Sequence, residues 1–165
     1  MIYIGIDPGT PLTIAAVTSG GDLLDIWDKS AVATQETRGK SEKWYNNPSL
    51  IAAVLRPYAA LDCLVVLEHV SPMPAQGIVS SCRFVGSMYL AHGVAAGLGM
   101  RVVLRTPSVW KKAMGLSPDK ERSRAKALEM WPGSSDRFKR KMDHDRAEAA
   151  LLALYERDRN QPSAA

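Results

Sequence analysis

The sequence predicts one α/β domain built on a mixed five-stranded sheet flanked by helices. Three observations carry this reading. Three β-like segments crowd into the first 27 residues, two later apolar runs each follow a helical stretch, and the last third reads as helix. Ile2, Ile4 and Ile6 alternate with Tyr3 and Gly5 until Asp7-Pro8-Gly9 breaks a first strand. Residues 12–17, rich in Ile, Val and Thr, give a second, and Ser19-Gly20-Gly21-Asp22 signals a turn into a third over 23–27. So quick a succession reads as an antiparallel meander.

Residues 28–47 are polar without an apolar period, so a long mobile loop is expected there. Pro48-Ser49 opens a helix through Leu50, Ile51, Val54 and Leu55, with Pro57 near its end. The apolar run 63–67, closed by Glu68, fits a central strand covered on both faces. Ser71-Pro72-Met73-Pro74 forces a loop before a helix over 80–98. Gly86, Gly93 and Gly97 share one face of that helix and admit a close backbone, either its own sheet's or a partner's. Residues 101–106 form a fifth strand stopped by Pro107. Helices follow from Pro107-Ser108-Val109-Trp110, over 119–131 and over 145–155, the last dense in Ala and Leu. The domain is expected to span 1–156, with 157–165 a polar tail.

At 165 residues, 46% hydrophobic, the chain buries enough surface to fold without a metal or disulfide staple. Cys63 and Cys82 are too few for a disulfide scaffold. The opening residues lack the basic region of a signal peptide, and no apolar run approaches the roughly 18 residues of a membrane span. A reducing cytoplasm is the expected compartment, with no membrane contact. Charge is unevenly placed: residues 101–146 hold thirteen basic against six acidic residues, whereas 1–100 hold six against eight. A phosphate-bearing partner would favour such a stretch; a solvated helical surface is the plain alternative.

Four carboxylates sit where solvated charges are unusual. Asp7 and Glu68 each follow an apolar strand directly, and Asp145 and Glu148 fall three apart on one helical face. Converging like charges repel unless a cation intervenes, and all-oxygen donor sets suit Mg²⁺ or Mn²⁺. Each residue also has a local reading: Asp7 as a turn former, Glu68 as the first exposed residue after its strand, Asp145 with Glu148 as a capping box.

Ile4-Gly5-Ile6-Asp7-Pro8-Gly9, Val65-Val66-Leu67-Glu68 and Asp145-Arg146-Ala147-Glu148-Ala149 together resemble the RuvC-type Holliday junction resolvases, especially their compact phage and virus branch. Pro107-Ser108-Val109-Trp110-Lys111-Lys112 and Asp119-Lys120-Glu121 resemble the segment those proteins carry before their last helix, and the likeness runs to about residue 156. It implies a ribonuclease H-like fold, with three antiparallel strands then two parallel, and a homodimer in a bacterial or phage-infected cell. The implied activity is Mg²⁺-dependent nicking of four-way DNA junctions. Asp7, Glu68, Asp145 and Glu148 would be the catalytic ligands of two cations per site, Asp7 bridging them, with Mn²⁺ as a substitute and no small-molecule cofactor. Lys111, Lys112, Lys120, Arg122, Arg124, Lys126, Arg137, Lys139, Arg140 and Lys141 would hold DNA phosphates.

The chain departs from the family pattern in places. Thr10-Pro11-Leu12 stands where a small residue usually follows, Glu148 where bacterial members carry Asp, and Ser71 where some carry an aromatic wedge. Met73 and Phe84 are the alternatives for that wedge. His144 reads as a helix-start residue on the surface or, by the resemblance, as an assistant to the site. Rival readings are a ribonuclease H-like nuclease for other branched DNA or RNA–DNA hybrids, a silent junction-binding module, and an actin-like or sugar-kinase ATPase. The last rests on Asp7-Pro8-Gly9-Thr10 but needs two such domains.

Overall fold

Alternation along the first strand decides how the molecule is layered. In the computed structural model, which describes residues 1–38, 41–72, 77–117 and 119–161, β1 (Ile2–Asp7), β2 (Thr13–Thr18) and β3 (Leu23–Trp27) form the antiparallel meander. Then come β4 (Ala33–Arg38), β5 (Ser41–Asn46), α1 (Pro48–Ala59), β6 (Cys63–Glu68), α2 (Ile78–Gly97), β7 (Arg101–Arg105), α3 (Pro107–Ala113), α4 (Lys120–Met130) and α5 (His144–Asn160). β6 and β7 add in parallel, so the main sheet is ordered β3-β2-β1-β6-β7. This is the expected mixed five-stranded sheet.

Because side chains alternate along a strand, each face of the sheet has its own core. Ile4, Ile6, Val65 and Leu67 pack with Ile51 and Leu55 of α1 and Met88, Ala91 and Ala95 of α2. Tyr3, Val66, Leu64 and Ala15 pack on the opposite face with α5, Trp110 of α3 and Ala127 of α4. Gly5 sets the distance to α5: a Cβ there would lie 2.0 Å from the Ala149 carbonyl oxygen and 2.8 Å from the Ala153 amide nitrogen. Backbone therefore rests on backbone, and the buried Ala147, Ala149, Ala150 and Ala153 keep the helix thin enough to allow it.

The polar stretch 28–47 is not the expected loop. It forms a 3₁₀ turn at Lys29–Ala31 and an antiparallel hairpin of β4 and β5, apart from the main sheet. Polar pairing across the hairpin replaces apolar alternation, as where Gln35 Nε2 donates to Glu42 Oε2 at 2.6 Å. α5 runs on to Asn160, into the stretch read as tail. Gly86, Gly93 and Gly97 do not press against their own sheet, since an added Cβ at each meets nothing within 4 Å. Among the described residues no helix is long and apolar enough to cross a membrane.

Candidate active site

β1 and β6 run parallel with Ile6 opposite Leu67, so Asp7 and Glu68 leave the same sheet edge side by side. Both lie in register with the residues that face α5, Gly5 on one strand and Val66 on the other. The contact of α5 with Gly5 then carries Asp145 and Glu148, in the turn before Ala149, over those strand ends. All four carboxylates line one cleft of about 560 Å³, together with Lys111, Lys120, His69 and Phe84. Asp7, Glu68 and Glu148 are buried, whereas the Asp145 side chain is 41% exposed.

The local readings of these residues give way to the tertiary ones. Asp145 and Glu148 form no capping box: Asp145 Oδ1 accepts from Lys120 Nζ at 3.1 Å, and Glu148 Oε1 accepts from Lys111 Nζ at 2.7 Å and Ser123 Oγ at 3.0 Å. Glu68 Oε1 accepts from the Trp110 indole Nε1 at 2.9 Å. The Asp7 side chain accepts no hydrogen bond from any described residue. Burial holds the Asp7 carboxyl well above the usual aspartate range, and the charges of Glu68, Asp145 and Glu148 add to that. Burial also raises Glu68, against the Trp110 hydrogen bond. At Lys120, burial works to lower the ammonium, but Asp145, Asp7 and Glu148 outweigh it and raise it. The two lysines are thus internal counter-charges in an anionic cleft.

Other parts of the site leave no trace in a linear pattern. Asn46, at the end of β5, clamps the turn after Asp7. Its Oδ1 accepts from Leu12 N at 2.9 Å, and its Nδ2 donates to Gly9 O at 3.1 Å and Ser87 Oγ at 2.6 Å. Ser87 of α2 donates in turn to Gly9 O at 2.8 Å. His144 is more than a surface helix-start residue, since its Nε2 lies 3.1 Å from Asp145 Oδ1. Asp143 is structural: its buried carboxylate accepts from Arg140 N, Nε and Nη2. Burial pushes that carboxyl up, but the Arg140 hydrogen bonds prevail and hold it below the usual range.

The ten basic residues divide. Of the ten, Lys111 and Lys120 line the carboxylate cleft, and Lys112 lies with Lys111 along an adjoining groove past Pro107 and Ser108. Arg122 and Lys126 line a separate hollow beside Met114 and Leu116. Arg124, Lys126, Arg137, Lys139 and Arg140 are tied to Glu121, Glu129, Asp25, Asp136 and Asp143. Lys112, Arg122 and Lys141 have no ion pair among the described residues. Of the wedge alternatives, Phe84 lines the cleft and Met73 lies outside the described residues.

Against solved structures, the chain superposes on Thermus thermophilus RuvC in complex with a Holliday junction substrate at a TM-score of 0.63. That match has 20% identity and covers 94% of this chain and 91% of that one. The fold is that of RuvC. A second T. thermophilus RuvC structure matches at a TM-score of 0.53 and 17% identity, covering 96% of each chain. No protein-family model and no curated protein matches the sequence.

Within this RuvC-like fold the donor set suits a hard divalent cation: four carboxylates, one of them buried with no hydrogen-bond donor, opening on a shared cleft. As arranged, no three His, Cys, Asp or Glu among the described residues stand close enough to hold one ion. Lys111 and Lys120 pair with two of the four, Glu148 and Asp145.

Proposed function

We propose that this chain is a metal-dependent, structure-selective DNA endonuclease that resolves four-way junctions by paired nicks. One observation carries the reading: Asp7, Glu68, Asp145 and Glu148, from three distant segments, share one cleft on a RuvC-like fold. A neighbour with that fold is solved with a Holliday junction substrate. The four carboxylates would hold Mg²⁺, with Mn²⁺ as substitute, and bound ions there would neutralise the scissile phosphate and acidify the attacking water.

The chain's own residues prepare for this. Lys111 and Lys120 offset the charge of Glu148 and Asp145, and would give these carboxylates up to a bound cation. Asn46 and Ser87 fix the backbone after Asp7, so that Asp7 presents its oxygens at a set position. Lys112, on the groove leading from the cleft, is placed to hold the phosphate next along the strand.

A second copy is the partner we assign to α2. Val79, Cys82, Gly86, Tyr89, Gly93 and Ala96 recur at spacings of three and four on its exposed side. Such a stripe suits a symmetric helix–helix contact, which would set two active sites on a junction of matching symmetry.

The test is cleavage of a four-way junction, a flap, a duplex and an RNA–DNA hybrid, each with Mg²⁺. Paired nicks in the junction, at rates well above the other three, are expected. Preference for the flap or the hybrid would replace the substrate while keeping the chemistry. ATP hydrolysis without DNA cutting would overturn both.

A further inference from the structure

Two neutral, buried donors hold glutamates that line the carboxylate cleft. Trp110 of α3 is fully buried and gives its indole N–H to Glu68 Oε1 at 2.9 Å. Ser123 of α4 is also fully buried and gives its hydroxyl to Glu148 Oε1 at 3.0 Å. The second oxygen, Oε2, of each glutamate receives no hydrogen bond from any described residue. Each glutamate is therefore held through one oxygen, and the other accepts nothing from a described residue.

The lysines cannot do the same work. Lys111 reaches the same Glu148 oxygen, but its positive charge would compete with a divalent cation for the carboxylate. Trp110 and Ser123 carry no charge, so their bonds can persist when a cation arrives. Their positions are also fixed: Trp110 sits in the core cluster with Val66 and Ala127, and Ser123 lies one turn of α4 before Ala127. A glutamate left free would lose side-chain entropy on ligation, whereas one already held loses less.

We propose that Trp110 and Ser123 are positioning residues. They fix the carboxylate planes of Glu68 and Glu148 so that the unbonded oxygen of each is held ready for a divalent cation. The proposal rests on the cation-binding reading of this cleft given above. Hydrogen bonds that orient metal ligands in this way are typically worth 10–100-fold in metal affinity.

The experiment uses the full chain without DNA. MnCl₂ is titrated calorimetrically into wild type, Trp110→Phe and Ser123→Ala, with far-UV circular dichroism to establish that each is folded. Weaker Mn²⁺ binding is expected in both variants, by about 10–100-fold. The Mg²⁺ concentration for half-maximal junction nicking should rise in step, while junction affinity in EDTA stays at the wild-type value. A merely structural loss would not separate these two readouts. Folded variants that bind Mn²⁺ as tightly as wild type would overturn the proposal. Should Trp110→Phe not fold, Ser123→Ala, which removes a single hydroxyl, decides alone. Wild type that binds no Mn²⁺ would refute the cation-site reading and this proposal with it. Wild type that binds Mn²⁺ but cuts no junction would refute only the nuclease reading.

Discussion

The Asp7 carboxyl is buried in the cleft with no hydrogen-bond donor among the described residues, and burial raises its pKa. Its folded-state pKa lies above the ordinary aspartate value, so the native state binds a proton that the unfolded chain releases. Without metal, stability should therefore rise as pH falls from Asp7's raised value toward about 4, the unfolded value. Asp7→Asn should melt higher than wild type in EDTA at neutral pH, and the gap should close on acidification, as measured by thermal unfolding across pH. The same substitution should abolish nicking while leaving junction binding intact in a gel-shift assay. Asp7, Glu68, Asp145 and Glu148 were legible because each ends an apolar strand or shares a helical face. Trp110, Ser123 and Asn46 were not, because their partners lie tens of residues away and no local spacing encodes them.

α5 on β1 is the contact that assembles the site, and its register depends on the missing Gly5 side chain. Gly5→Ala would drive a methyl into the Ala149 carbonyl, forcing the helix away from the strand. Overpacking of this kind costs about 1–3 kcal/mol, visible in urea unfolding. Activity should fall further than stability, since Asp145 and Glu148 move with the helix. The hairpin of β4 and β5 shows where sequence patterning stops. Thr34, Gln35, Glu36 and Thr37 are all exposed, so neither face carries the apolar alternation that marks β1. The strands of the main sheet, each half-covered or fully covered by helices, carry that signal plainly.

For the molecule as a whole, the run of basic residues over 101–146 overstates the cationic surface left unpaired. Arg124, Arg137 and Arg140 serve the fold through Glu121, Asp25 and Asp143, partners that a linear charge count cannot pair with them. Lys112→Gln should lower the slope of log affinity against log salt by about one, with the melting temperature unchanged. Arg137→Gln should instead lower the melting temperature and leave the slope near its wild-type value. The exposed α2 stripe belongs to the same scale. On the proposed pairing of two copies through α2, wild type should scatter as a dimer and Tyr89→Asp as a monomer, and singly nicked junctions should accumulate with the variant.

Strand-resolved cleavage of a four-way junction in Mg²⁺, by wild type beside the four single carboxylate-to-amide variants, probes the shared cleft most directly. Symmetric paired nicks from wild type, and none from Asp7→Asn, Glu68→Gln, Asp145→Asn or Glu148→Gln despite retained junction binding, is the predicted result. Wild-type nicking by Asp7→Asn or Glu68→Gln would contradict it, because the buried carboxylates at the two strand ends would then take no part in the chemistry.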